Sequence, residues 1–505
     1  MLSQHLVILP ILIPLLAALL LLLPWGENPQ PYRRAIGLTS CVALILVALA
    51  LALKVQNGVH VYAVGGWQAP FGIVLVADKL AVLMVLLTAL LALPVLWYAC
   101  YGEDSIGSHF HALFQFQIMG IVGAFLTGDL FNLFVFFEVL LISSYALLMH
   151  GGGKSKLRSC LHYVMLNLLG SSLFLIALGI IYGITGTLNM ADLAVKLSQL
   201  SQDDAAIARV GGLLLLIVFA LKAALLPLYF WLPQAYATTT GTVAALFAIM
   251  TKVGVYAILR TFTLIFGEHA GASALLGYEW LWWLGLGTLA IGGIGIIGSR
   301  DLRLIIAYLV VVSVGTMLTT FSMNSETSIT AVLYYLLHST FITAALFLIV
   351  DVIAKQRGKT ASRIVKGRRM AQHGLLSGMF FVAAIAVIGM PPFSGFIGKL
   401  FILEAARTGA QVALLWPLVL GTSFLVLVSL SRAGSRIFWH NFNGKVGDVR
   451  HAKGQLTAIF LLLAAVVSLT IFADGISHYI EHIAEDLRNP TAYIEASLGG
   501  VANHD

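Results

Sequence analysis

The chain has 505 residues, of which 60% are hydrophobic and only 10% are charged, with a formal net charge of +7. A soluble protein of this size carries about 25% charged residues, so the composition excludes an ordinary soluble domain and indicates a polytopic membrane protein.

Apolar runs of about 20 residues, enough to cross a bilayer as a helix, recur along the whole chain. They predict helices over 4–24, 35–54, 78–99, 110–127, 130–150, 160–184, 209–238, 241–264, 278–298, 302–322, 328–352, 374–406, 411–438 and 455–474. The first, LVILPILIPLLAALLLLLPW after His5, has no basic leader region and no small-residue cleavage site, so it reads as a retained span and not a signal peptide. The insert from Met190 to Arg209 is polar and reads as a short amphipathic surface helix. The seventh and twelfth segments are long and contain prolines, which predicts discontinuous helices. Cys41, Cys100 and Cys160 sit in separate apolar segments without a CxxC, so no metal or iron–sulfur site is expected. Gly293, Gly295 and Gly298 match the dinucleotide-binding spacing, but they close a membrane span and lack the strand and soluble βαβ unit that the fingerprint needs.

Fourteen spans place both termini on one side. Of the 29 basic residues, nineteen then fall in loops on the opposite side, Lys445 and Arg450 among them, against six on the side of the termini. By the positive-inside rule the termini face outward. The concentration of positive charge in cytoplasmic loops also accounts for the basic balance, so no nucleic-acid partner is inferred.

Five ionisable residues lie well inside predicted helices: Glu138, Lys222, Lys252, His338 and Lys399. Four charged groups at mid-membrane cost roughly 10–14 kcal/mol on insertion scales, comparable with a whole domain's stability. Such groups are normally enclosed by the bundle, paired and functional. Glu138 lies about 13 Å past Asp129 along its helix, and Lys252 about 16 Å past Gly241, so both are near the midplane. A structural ion pair is the alternative for each, and for His338 a satisfied core histidine. Lys79 and Asp78 read as an interfacial pair, and Glu404 as facing a partner subunit or the outer surface. Pro227 lacks an N–H and frees the Ala223 carbonyl beside Lys222, while Pro391 and Pro392 interrupt the twelfth segment before Lys399. Broken helices in corresponding positions of two halves point to a transport site at the midplane.

The segments DLFNLFVFFEVLLISSYALL, ALKAALLPLYFWLPQAYA, ALFAIMTKVGVYAILR, HSTFITAALFL and GMPPFSGFIGKL resemble, in this order and over nearly the whole chain, the D-type subunit of the multisubunit Mrp/Pha/Mnh monovalent cation/proton antiporters. That family is itself similar to the antiporter-like subunits of respiratory complex I. The resemblance implies an all-α polytopic fold of about 14 helices with two inverted five-helix repeats. Residues 1–109 would be peripheral, 110–264 and 278–438 the repeats, and 455–505 a last span with a short tail. It also implies a proton path along Glu138, the paired Lys222, Lys252, His338 and Lys399. In that path, displacing Glu138 would let Lys222 release its proton toward Lys252. The implied partners are other subunits of a hetero-oligomer in a bacterial inner membrane, with Na⁺ or K⁺ exchanged for protons and no cofactor. Two departures stand out: Thr343 where many relatives have an eleventh-helix lysine, and ATTTGT where many have proline-rich text. The first leaves a gap between His338 and Lys399 for a hydroxyl or water to fill. The alternatives are a proton-pumping subunit of a complex I-like enzyme or membrane-bound hydrogenase, or a scaffold that conducts nothing. The tail is expected to be too short for the lateral helix of the largest complex I antiporter-like subunit.

Overall fold

The computed structural model describes residues 5–24, 29–107, 109–442 and 452–499; the expected loop cations Lys445 and Arg450 lie outside these. The chain opens with α1 (Leu9–Leu22) and α2 (Gln30–Lys54), followed by a small hairpin of β1 (His60–Ala63) and β2 (Val74–Ala77), then α3 (Lys79–Ala99), α4 (Phe110–Leu126), α5 (Leu130–Leu148) and α6 (Lys154–Thr185). The hairpin is antiparallel with His60 opposite Ala77. Next come α7 (Met190–Ser198), α8 (Gln202–Ala223), α9 (Trp231–Thr238), α10 (Gly241–Leu246), α11 (Met250–Leu264), α12 (Tyr278–Gly298), α13 (Leu302–Phe321) and α14 (Glu326–Arg357). The remainder is β3 (Gly367–Arg368), α15 (His373–Ile388), α16 (Ser394–Ala405), α17 (Gly409–Gly434), β4 (Asn441–Phe442), α18 (Ala452–Ile471), α19 (Ala473–Arg488) and α20 (Thr491–Leu498).

Among the described residues, eleven helical segments are long and apolar enough to cross a membrane, and Leu9–Leu22, Phe110–Leu126 and His373–Ile388 are shorter apolar helices. In hydrocarbon every orphan N–H at a helix start needs a partner, and side chains supply several. Asp129 accepts from Asn132 N at 2.8 Å, Asp301 from Arg303 N at 2.9 Å and Asp78 from Ala81 N at 2.9 Å. Ser325 with Ser328, and Thr408 with Gln411, form reciprocal capping boxes. Helix α14 is the axis of the molecule. It is enclosed on every side, with every residue from Ser328 to Ile353 buried, and its polar residues there, His338 and Thr343 among them, therefore face other helices.

Charges gather at the two ends of the bundle. At one end Arg34 holds both oxygens of Asp104 at 2.6 and 2.9 Å, and Lys355 bridges Glu103 at 2.9 Å and Asp351 at 2.6 Å. Arg303 donates to Asp351 at 2.5 Å, and the His150 ring meets the Glu103 carbonyl at 2.8 Å. Burial, then the neighbouring Asp351, hold the Glu103 carboxyl above its ordinary range. Burial also pushes Asp104 upward, but the His111 and Arg34 hydrogen bonds outweigh it and hold that carboxyl below its ordinary value. At the other end Arg260 grips Asp78 through contacts of 2.7 Å, Lys79 pairs with Asp486 at 3.0 Å, and Arg488 with Glu268 at 2.8 Å.

Several expectations need correction. Lys79 and Asp78 do not pair with each other; each has its own partner on another helix. Arg260, one of the six basic residues counted in loops on the side of the termini, is buried within α11. The insert beginning at Met190 is not a surface helix throughout. The α7 side chains Met190, Ala191, Leu193, Ala194 and Leu197 are buried, and Gln202–Arg209 forms the first turns of α8. The eighth segment is not one helix, because the chain leaves the regular ladder over 247–249 between α10 and α11. The tail folds back as α19 and α20, tied down by Asp486 and Arg488.

A row of polar sites between broken helices

The end of α8 builds the first site. Ala224 adopts the left-handed conformation at φ 63°. Its N–H bonds Leu221 O at 3.2 Å and the Leu225 N–H bonds Ala220 O at 2.9 Å, the pair of contacts that closes a Schellman motif. The helix therefore ends at Ala223, four residues before Pro227, which stands beyond the break and keeps the helix from resuming. Freed backbone groups find partners: Trp231 Nε1 donates to Leu221 O at 3.1 Å and Leu226 N to Thr288 Oγ1 at 2.8 Å. Lys222 occupies the last turn, where the helix dipole favours a cation.

Around Lys222 the structure adds two residues that sequence reasoning missed, Asn167 and Ser171 of α6. Lys222 Nζ donates to Asn167 Oδ1 at 3.3 Å, and Asn167 Nδ2 donates to Tyr163 O at 2.8 Å. Ser171 Oγ donates to Glu138 Oε1. Glu138 and Lys222 make no direct ion pair, so the expected pairing is replaced by contact through one face of α6. The Phe137 ring centroid lies 5.6 Å from the lysine nitrogen, within cation–π range. Lys222 is buried, whereas Glu138 is partly exposed on the side of the bundle.

Lys252 follows the interruption in the eighth segment. It is fully buried and donates to Ser313 Oγ of α13 at 3.4 Å. The neighbouring Gly254 packs against the end of α8, and a Cβ there would stand 2.5 Å from Ala223 N. Only glycine lets α11 approach the Lys222 turn this closely.

The twelfth segment repeats the break. Gly389 is left-handed at φ 87°, with Gly389 N on Ala386 O at 3.3 Å and Met390 N on Ile385 O at 3.2 Å. Lys399, although it follows Pro391 and Pro392, reaches back across the break. Its Nζ donates to Ile388 O at 2.7 Å and to Ser423 Oγ at 2.8 Å. Lys399 thus caps the carbonyl end of the first half-helix from beyond the break, whereas Lys222 sits inside the last turn of its own half-helix and donates across to α6. His338 Nδ1 meets Ser394 Oγ at 2.9 Å, and its Nε2 is buried without a hydrogen-bond partner. A Cβ on Gly395 would stand 2.7 Å from that nitrogen.

A narrow cavity of about 10 Å³, room for roughly one water centre, lies among the residues of the second half. Its polar lining comprises Ser313, Thr316, His338, Ser339, Thr343, Thr422 and Ser423 together with Lys399. This lining includes Ser313, the hydroxyl partner of Lys252, Ser423, the hydroxyl partner of Lys399, and also Thr343. The serines escaped sequence reasoning because a lone serine in an apolar helix is more often a local i−4 back-bonder than a partner of a distant charge. The pair Asn167 and Ser171, four apart on a buried face, was the one usable signal.

Cys100, Asp104 and His111 bring ligand-type atoms within 4.8 Å of one another. Both oxygens of Asp104 are already held by Arg34, and a guanidinium there repels a cation, so these residues do not form a metal site.

A family model described as NADH:quinone oxidoreductase/Mrp antiporter, TM matches residues 127–426. The D-type subunit of a probable K⁺/H⁺ antiporter from Rhizobium meliloti (strain 1021) is 38% identical, over 98% of this chain and 98% of that one. The D-type subunit of a Na⁺/H⁺ antiporter from Bacillus subtilis (strain 168) is 40% identical, over 98% and 99%. A chain of the Mrp complex from Dietzia sp. DQ12-45-1b superposes with a TM-score of 0.86 at 26% identity, covering 99% of this chain and all of that one.

Proposed function

The chain belongs to the NADH:quinone oxidoreductase/Mrp antiporter membrane family, and from that premise we propose that it is the D-type subunit of a hetero-oligomeric monovalent-cation/proton antiporter. Protons pass along the midplane through Glu138, Lys222, Lys252, His338 and Lys399 in exchange for Na⁺ or K⁺. We count fourteen spans, taking the three shorter apolar helices as spans beside the eleven long ones found among the described residues. Residues 110–264 and 278–438 are inverted repeats, flanked by peripheral helices over 1–109 and the final span with its tail over 455–505. Both termini face outward from a bacterial plasma membrane. In support, the contacts of Arg34, Arg303, Lys355 and Arg432 gather the basic loops at one end of the bundle.

The chemistry follows from the partners. Lys222 is held by a neutral amide and not by a carboxylate, so movement of Glu138 changes the field at Lys222 without first breaking an ion pair. The paired helix breaks leave carbonyls free to hold a lysine or an entering water. A proton leaving Lys252 meets the Ser313 hydroxyl, and the cavity past Thr343 offers hydroxyls and the free His338 Nε2 on the way to Lys399. The hydroxyl of Thr343 takes the place of a titrating group there.

The single observation that carries this reading is the hydroxyl-lined cavity that the partners of Lys252 and Lys399 share. The test is the cation-dependent pH gradient in everted vesicles carrying the whole complex, with Na⁺, K⁺ and Li⁺ added separately. Glu138→Ala and Lys222→Ala abolish exchange and leave the complex assembled. Wild-type exchange in either variant sinks the proposal, and a gradient that needs a quinone or another electron acceptor transfers the chain to the redox branch of the family.

A further inference from the structure

We propose that the opening between the start of α6 and α9 holds the headgroup of one anionic phospholipid. The cavity there is about 760 Å³ and is lined by Lys154, Arg158, His162, Phe230, Trp231 and Gln234, together with Ser159. Lys154, Arg158 and His162 are spaced four apart, so they stack on one face of α6. No acidic residue lines the cavity, and Lys154 and Arg158 have no salt-bridge partner among the described residues. Two cations, Lys154 and Arg158, beside an opening without a compensating carboxylate match a phosphate, while the His162 Nδ1 is engaged with the Arg158 carbonyl of its own helix.

The surroundings select a lipid over a free anion. Phe230, in the wall, is 52% exposed, and the same side of α6 continues with Leu161 at 53% and Met165 at 69%. Basic side chains thus give way directly to a bare apolar track on which acyl chains can lie. A water-soluble phosphate gains nothing from that track.

The site shares a wall with the Lys222 cluster. The Trp231 indole donates to Leu221 O at the α8 break and packs on Tyr163 at 5.0 Å. The Tyr163 carbonyl in turn accepts from Asn167, the residue that holds Lys222. A headgroup pressed against Trp231 therefore steadies the break from the outside.

The test is lipid retention by the purified complex, which needs no transport and so fails or succeeds separately from the antiport reading. In native mass spectrometry the wild-type complex retains an anionic phospholipid, cardiolipin or phosphatidylglycerol, at least fivefold over phosphatidylcholine. K154Q/R158Q loses that preference, and R158K keeps it. A photoactivatable phosphatidylglycerol labels peptides spanning residues 154–165 or 230–234 in the wild type, which guards against a double variant that does not assemble. Equal retention in wild type and K154Q/R158Q overturns the proposal. So does displacement of the label by millimolar inorganic phosphate, which identifies a plain anion site, and so does labelling confined to other helices, as expected if a partner subunit fills the opening.

Discussion

Asn167 of α6 holds Lys222 of α8 through its side-chain carbonyl at 3.3 Å, and Glu138 reaches the same helix face one turn away through Ser171. The carboxylate and the lysine thus share a scaffold without sharing a hydrogen bond. Asn167→Ala removes a hydrogen bond to a charged group, worth about 1.5–3 kcal/mol. Antiport in everted vesicles should fall on the order of 10–100-fold, with assembly of the complex unchanged. Ser171→Ala should slow antiport as well, because the Glu138 carboxylate, near the midplane, loses the hydroxyl that bonds it and has no bulk water to replace it. Full activity in Asn167→Ala would show that the amide only packs.

Thr343 lines the same cavity as His338 and Lys399. Thr343→Val keeps the shape and deletes the hydroxyl, so transport should slow by about 10-fold while thermal stability changes little. Ser423→Ala removes a partner of Lys399 found at 2.8 Å and should slow transport as well. A Thr343→Val complex that exchanges cations at the wild-type rate rules out a proton route through this cavity.

Gly395→Ala places a methyl group 2.7 Å from His338 Nε2 and against the Ala386 carbonyl. Overpacking of this kind costs about 1–3 kcal/mol. The expected result is a lower unfolding temperature and loss of activity, with Gly374→Ala, where a Cβ meets nothing within 4 Å, as the control.

Asp78 and Arg260 form a buried pair with contacts of 2.7 Å. Arg260→Met leaves the carboxylate unpaired and should cost about 3–5 kcal/mol, read as a lower unfolding temperature or poor expression. Adding Asp78→Asn should recover part of that loss, since no lone charge then remains. A single variant as stable as the wild type would mean that water reaches the pair freely.

Asp104 titrates below its ordinary value, despite burial, because His111 and Arg34 bond its ionised form. Its contribution is therefore present above the unfolded value of about 3.9 and fades as pH falls through the lower folded value. Asp104→Asn weakens the charge-assisted hydrogen bonds from Arg34 and His111 and should be less stable than wild type by about 2 kcal/mol at pH 7. The gap should narrow below about pH 4. Unfolding temperatures of the purified protein at pH 7, 4.5 and 3 check this, and a constant gap contradicts it.

Much of the site was legible as residues and little of it as contacts. Glu138, Lys222, Lys252, His338 and Lys399 stood out because an ionisable group in a long apolar run is costly wherever the helix turns. Pro227 and Pro391–Pro392 marked the neighbourhoods of the breaks but not the terminating residues. Those are Ala224 and Gly389, whose left-handed conformation depends on the packing around them. The break over 247–249 carried no proline to announce it. There the carbonyl of Phe247 is taken by the Tyr236 hydroxyl at 2.8 Å, a partner eleven residues away.

By itself the sequence determined the solvent this protein folds in, the order of its apolar segments, and which five ionisable side chains are costly inside them, because hydrophobicity and desolvation act residue by residue. The tertiary structure alone decided what each of those side chains touches: an amide for Lys222, hydroxyls for Lys252 and His338, carbonyls and a hydroxyl for Lys399. Those choices depend on how each helix is rotated and how closely its neighbours approach, and such distances are set by packing between segments far apart in the chain.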